Sequence, residues 1–225
     1  MSAQGGHTTV HLLRHGEVYN PEGILYGRLP GYVLSEPGRR MAERVAESLA
    51  ARDVRHVVAS PLERAQETAA PVATSFGLEV HTDERLIEAA NVFEGLTFGV
   101  GEGSLRRPGM WRHLRNPRRP SWGEPYVEQV ARMLTAAARA RDAARGAGDG
   151  GGEAVCVSHQ LPIWATRLSV EGKPLWHDPR RRQCSLASLT SLTYEEDDRI
   201  VSLTYAEPAR DLLPASPKRR LQAGA

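Results

Sequence analysis

The feature that most constrains this chain is a set of short apolar runs, each closed by turn residues or a polar cluster. They read TVHLL from Thr9 to Leu13, VRHVVA from Val54 to Ala59, LEVH from Leu78 to His81 and AVCVS from Ala154 to Ser158. Such runs are too short for amphipathic helices. Rich in β-branched residues, they suit strands covered on both faces of a parallel sheet. Helical patterns lie between them. Ser35 stands as an N-cap with Glu36 in the first turn, and Met41, Val45 and Leu49 then share a face up to an end near Arg52. Ser60-Pro61 predicts a helix start. That helix reaches about Phe76 and stops at Gly77, with a kink or break at Pro71. A long helix from Tyr126 to Arg145 carries Val127, Val130, Leu134 and Ala138 on one face, and a shorter one runs from Leu161 to about Val170. Two further strands, Leu186 to Thr193 and Ile200 to Tyr205, flank the turn EEDDR. This alternation predicts an α/β domain, a three-layer α/β/α sandwich with a mainly parallel central sheet.

At 225 residues the chain is long enough for one domain with a core of its own. That domain is expected over residues 1–207, with an inserted lid at about 95–125, where Gly, Pro and Arg replace periodic apolar residues. Residues 146–152 form a glycine-rich connector, and 208–225 a disordered tail. The net charge of +2 is matched by the segment from Ala206 onward, so the remainder is neutral in sum. That argues against a nucleic-acid-binding surface. No apolar run reaches membrane-spanning length, and the N-terminus lacks a secretory pattern. Cys156 and Cys184 sit in apolar, strand-like surroundings and read as buried free thiols, a disulfide being the alternative; a reducing, cytoplasmic setting is expected. Either a monomer or a homodimer is compatible with the sequence.

In an open α/β sheet, ligands bind at the carboxyl ends of the strands. The first strand runs straight into Arg14-His15-Gly16, the second into Ser60 with Arg64 a helical turn beyond, and the AVCVS strand into His159. Two arginines, two histidines and a carboxylate suit phosphoryl transfer. Guanidinium groups hold phosphate through planar, bidentate hydrogen bonds. A neutral imidazole attacks phosphorus, and a second, protonated, stabilises the equatorial oxygens. A carboxylic acid protonates the leaving oxygen. These cations supply the charge a metal would bring, so no cofactor is implied. No clustered Cys/His spacing for a metal occurs in the sequence.

The motifs LLRHGEVYN, SPLERAQETA from Ser60 to Ala69, RLIEAANVFEG from Arg85 to Gly95 and VSHQ from Val157 to Gln160 resemble, in order, those of the histidine phosphatase superfamily, the phosphoglycerate mutase-like family. The resemblance implies that fold and a small phosphorylated substrate. It makes His15 the nucleophile that forms a phosphohistidine, Glu88 the proton donor and His159 the second phosphate-pocket histidine. Arg14, Asn20 and Arg64 would bind the phosphate. His7, His11, His56, His81, His113 and His177 are bystanders on this reading.

Departures from the mutase pattern bear on the reaction. Asn20 follows His15 one residue earlier than in RHGExxWN, and EAANVFEG stands where the mutases carry an Arg-His-Tyr-Gly run after the glutamate. Both favour a metal-independent phosphatase acting on small phosphomonoesters over a 2,3-bisphosphoglycerate-dependent mutase. A non-catalytic binding or regulatory module on the same fold would have lost a core residue, and all are present. A dinucleotide-binding dehydrogenase would carry a glycine fingerprint where RHGEVYN stands. Two basic clusters remain. The stretch from Leu105 to Arg119 holds Arg106, Arg107, Arg112, Arg115, Arg118 and Arg119, with Trp111 and Trp122 in or near it. It is either a solvated loop or a lid for a substrate with extra negative charge. Arg180 to Arg182 either lie near the same mouth or face water.

Overall fold

The computed structural model describes residues 6–96, 123–148 and 151–214. In chain order the principal elements are β1 (Thr8–Arg14), α1 (Glu36–Leu49), β2 (Val54–Ala59), α2 (Glu63–Phe76), β3 (Val80–Thr82), α3 (Tyr126–Gly146), β4 (Gly152–Ser158), α4 (Gln160–Val170), β5 (Leu189–Tyr194) and β6 (Ile200–Ala206). The six strands form one sheet in the order β3-β2-β4-β1-β5-β6. The first four in that order pair in parallel; β5 and β6 continue the sheet antiparallel beyond β1. This is the expected mainly parallel sheet.

Side chains alternate across a strand, so each central strand feeds two apolar layers. Leu13, Val57, Ala59, Val155 and Val157 pack with Met41, Val45 and Leu49 of α1 and with Ala65, Ala69 and Val72 of α2. Val10, Leu12, Val58, Ala154 and Cys156 pack on the other face with Met133, Ala137, Ala140 and Ala144 of α3 and Ile163 of α4. The strands read as continuous apolar runs because both faces are covered.

The structure revises several expectations. On α3 the buried stripe is Val130, Met133, Ala137, Ala140 and Ala144, spaced alternately by three and four, while Val127 is 66% exposed. Helix α2 starts at Glu63 rather than at Ser60-Pro61, and its Leu62 N-cap makes no side-chain bond. Pro71 does not end α2: Ala69, Val72 and Ala73 around it are buried against the sheet, and that packing carries the helix through to its left-handed stop at Gly77. Strand β5 begins at Leu189, because Ala187 adopts φ 53° and Ser188 N–H turns back to the Ser185 carbonyl. The tail does not loosen at Pro208: Ala209 is buried in the core beside α1 and Leu212 and Leu213 pack on it, so order extends through Pro214. Most of the expected lid, with both tryptophans and all six arginines of its basic stretch, lies outside the described residues. At its borders Gly95 N–H bonds the Leu25 carbonyl, and Asn91 bridges Gly123. No described helix is long and apolar enough to cross a membrane.

The loop after β1 lies against the first turn of α1. Ser35 caps that helix by accepting from Gly38 N–H (3.1 Å) and donates to Glu17 Oε1 (2.7 Å). A Cβ on Gly38 would sit 2.0 Å from the Glu17 carbonyl oxygen, and one on Gly16 would sit 2.5 Å from that of Gly38. In an open helix position, Gly→Ala stabilises by up to about 1 kcal/mol. Here the backbone contact reverses the sign: Gly38→Ala is expected to destabilise by at least about 2 kcal/mol, roughly 4–8 °C in Tm. A melting curve that shifts upward would show that the approach is not tight.

Candidate active site

The parallel pairing of β1 with β4 and of β4 with β2 puts three strand ends side by side. Backbone bonds continue past the strands: His15 N–H to the Ser158 carbonyl (3.1 Å) and Ser60 N–H to that of Val157 (2.9 Å). The loop at Gly16 is tied to α2 as well. Gly16 N–H donates to Thr68 Oγ1 (3.1 Å), whose hydroxyl donates to the Arg64 carbonyl (2.6 Å).

His15 is fully buried. Its Nδ1 lies 2.8 Å from the Gly16 carbonyl, which can only accept, so Nδ1 carries the hydrogen and Nε2 the lone pair. Nε2 has no partner among the described residues. Burial first, then the charges of Arg64 and Arg14, hold the His15 pKa well below its ordinary value and keep the ring neutral. This is the state a nitrogen nucleophile needs.

The His159 ring centroid is 5.2 Å from that of His15. Its Nε2 is 2.8 Å from Ser60 Oγ, and Ser60 Oγ also accepts from Leu62 N–H (3.4 Å). With the serine hydroxyl donating to Nε2, the ring hydrogen sits on Nδ1, a buried atom with no partner among the described residues. In the free site burial first, then Arg64, His15, Arg132 and Arg14, hold the His159 pKa well below the ordinary range.

Arg14 and Arg64 are also buried. Arg14 Nη1 donates to the Cys184 carbonyl (2.7 Å) and Arg64 Nη2 to the Gly27 carbonyl (2.6 Å); Arg14 Nε and Arg64 Nε and Nη1 are left without partners among the described residues. Glu88 follows a short 3-10 turn after β3, and Ser158 Oγ holds that turn through the Leu86 carbonyl (2.6 Å). Glu88 Oε1 accepts from Ala89 N–H (2.7 Å), and Oε2 has no partner among the described residues. Burial raises the Glu88 pKa against the pull of that bond and of Arg64, Arg182 and Arg14. An acid so shifted is suited to donate a proton.

Asn20 is not brought into this group. Its amide closes the loop after β1, with Nδ2 on the Ile24 carbonyl (2.8 Å) and Oδ1 accepting from Ile24 N–H (3.1 Å). Both ends of its amide are thus engaged within the loop. Tyr26, which sequence reasoning missed, stands there instead: buried, 6.5 Å from the His15 ring, with Arg64 Cζ 4.7 Å from its ring centroid. A tyrosine in a loop of Gly and Pro gave no pattern to find it by. His11 pairs with Glu153 (2.8 Å) and Ser191 (2.7 Å). His56 stacks on His81. Both cysteines are free and buried, and burial pushes both thiols up. No group of three His, Cys, Asp or Glu able to hold a metal occurs among the described residues.

Comparison with known proteins follows this geometry. The model of the histidine phosphatase superfamily (branch 1) matches residues 10–206. The uncharacterized protein Rv0525 of Mycobacterium tuberculosis is 59% identical over 202 residues, covering 90% of this chain and 97% of that protein. A probable phosphoglycerate mutase, GpmB, of Yersinia enterocolitica is 30% identical over 209 residues, covering 90% and 92%. Among solved structures, the mycobacterial glucosyl-3-phosphoglycerate phosphatase Rv2419c is similar with a TM-score of 0.68 at 27% identity, over 89% of this chain and 96% of that one.

The buried histidines carry a stability signature. Their folded pKa values lie below the unfolded value of about 6.5. Below that pH the unfolded chain binds protons the folded chain refuses, so stability falls as pH falls, by up to about 1.4 kcal/mol per pH unit for each histidine. Glu88, shifted up, acts oppositely: its contribution is lost as pH rises above the unfolded value. Urea unfolding between pH 7 and 5 should therefore show a shallower pH dependence for His159→Gln than for the wild type. An unchanged slope would mean that His159 titrates normally in the folded protein.

Proposed function

The chain belongs to the histidine phosphatase superfamily (branch 1), and from that membership we propose that it is a metal-independent phosphatase hydrolysing small phosphomonoesters through a phosphohistidine at His15. One observation carries the reading. Six buried polar atoms without partners among the described residues belong to five residues expected at the site: Arg14 Nε, His15 Nε2, Arg64 Nε and Nη1, Glu88 Oε2 and His159 Nδ1. Buried polar groups are nearly always paired, since leaving one unpaired costs on the order of 1–3 kcal/mol. Four donors, one lone pair and one carboxyl oxygen match the needs of a phosphate ester.

In this reading His15 Nε2 attacks phosphorus while Arg14, Arg64 and the Nδ1–H of His159 hold the non-bridging oxygens. The P–O bond to the alcohol breaks, and Glu88 gives its proton to the departing oxygen. Water then attacks the phosphohistidine, Glu88 takes back a proton, and inorganic phosphate leaves with His15 restored. The mycobacterial neighbour's name, a phosphatase, supports hydrolysis over mutase chemistry, as does EAANVFEG after the glutamate. The Yersinia relative's name favours the second reading, a mutase. A mutase would pass the phosphoryl group to a second hydroxyl instead of to water.

The deciding assay is phosphate release in EDTA from a phosphomonoester panel containing 3-phosphoglycerate, with and without 2,3-bisphosphoglycerate, for wild type and His15→Ala. Release by the wild type with a loss of at least about a thousandfold in the variant is expected. Isomerisation without release would establish the mutase, and neither would leave a non-catalytic module. Proton donation has its own signature. Glu88→Gln should lose about 10²–10⁴-fold on an alkyl phosphate, but far less on p-nitrophenyl phosphate, whose leaving group departs without a proton. Equal losses on both would remove Glu88 from the role of acid.

A further inference from the structure

The basic cluster Arg180 to Arg182 divides in the structure. Arg180 pairs with Asp178 (2.8 Å) on the surface, and Arg181 is exposed. Arg182 turns inward. Its Nε donates to His177 Nε2 (2.9 Å) and its Nη1 to Gln160 Oε1 (3.3 Å). His177 is no bystander: its Nδ1 bonds the Leu175 carbonyl (2.7 Å), so Nδ1 carries the hydrogen and Nε2 is free to accept from Arg182. Gln160 in turn donates to the Cys184 carbonyl (3.3 Å), the same oxygen that accepts from Arg14 Nη1. One carbonyl and one amide thus join Arg182 to the phosphate-pocket arginine. Glu88 and Tyr126 lie near enough to feel its charge.

Two neutral acceptors fix this guanidinium, and no carboxylate pairs with it among the described residues. Half-buried arginines elsewhere in the chain behave differently: Arg132 lies on Glu124, Arg145 on Asp198 and Arg167 on Glu171. Arg182 Nη2 has no partner among the described residues. A guanidinium oriented by two neutral acceptors, with no carboxylate beside it and Nη2 left open, is suited to meet an anion. Arg182 thus stands as a third guanidinium beside the phosphate pocket, joined to Arg14 through Gln160 and the Cys184 carbonyl.

We propose that Arg182 is a specificity-determining residue that binds a second anionic group on the substrate, a carboxylate or a second phosphate, through Nη2. The proposal rests on the phosphomonoester reading of the site and narrows its substrate class to esters that carry a second negative group. Positioning by His177 and Gln160 is what makes Arg182 selective, since a fixed guanidinium loses little entropy on binding.

The test is calorimetric binding in the His15→Ala background, where turnover is blocked. The ligands are glycerol 3-phosphate, 3-phosphoglycerate and 1,3-propanediol bisphosphate. With Arg182 present, at least one of the last two should bind tenfold or more tighter than glycerol 3-phosphate, and which one does identifies the anionic group. Arg182→Gln should reduce that advantage to within twofold, and Arg182→Lys should keep part of it. Glycerol 3-phosphate binding should stay within twofold in both variants, reporting an intact phosphate pocket. No advantage with Arg182 present, or an advantage that survives Arg182→Gln, would overturn the proposal. If the advantage holds but the wild type releases phosphate from no ester, hydrolysis is wrong and the anion subsite stands.

Discussion

Everything at the site depends on one rung beyond the end of a strand pair. β1 and β4 run parallel in register from Thr8 with Gly152 to Arg14 with Ser158, and the His15 N–H then bonds the Ser158 carbonyl. That bond places the backbone of the first histidine one residue from the second. Ser158 contributes again through Oγ, which holds the Leu86 carbonyl and with it the short turn that delivers Glu88. Three groups from distant parts of the chain thus take their positions from one residue. A mount of this kind is as rigid as the sheet, and the sheet is covered by apolar layers on both faces.

The electrostatic design is one of deliberate incompleteness. Arg14 and Arg64 are buried with carbonyl oxygens as their only protein acceptors among the described residues, and neither has a carboxylate. Their positive field does three things together. It adds to burial in holding both histidine pKa values down, it is set to attract a dianion, and it pulls the Glu88 pKa down by less than burial raises it. Burial and these charges together therefore favour a neutral nucleophile beside a weakened acid. Groups left unpaired in a buried site cost stability, and the two apolar layers offset that cost.

Much of this was legible in the sequence because strand ends and helix turns have fixed periods. Arg14, His15 and His159 follow apolar runs whose ends are easy to place. Arg64 lies on the first turn of α2 and faces the pocket, while Ser60 reaches His159 from the end of β2. What failed were inferences that depended on where a side chain turns within a loop or along a face. Asn20 occupies about the expected place in the chain, but a loop one residue shorter lets its amide close on Ile24. The apolar face of α3 was misplaced because its core contacts are mostly alanines, which a search for large apolar residues passes over.

Arg182 shows the same limit from the other side. Three consecutive arginines read alike in a sequence, and only tertiary context separates them. Asp178 caps the short turn and takes Arg180 to the surface, while His177 and Gln160, seventeen residues apart in the chain, converge on Arg182. Gln160 stands immediately after the second histidine, and a small side chain there could not reach either Arg182 or the Cys184 carbonyl. The glutamine and the inward arginine are therefore one feature. Discrimination among substrates that share a phosphate must come from groups around that phosphate, and among the described residues an oriented guanidinium without a carboxylate meets that requirement.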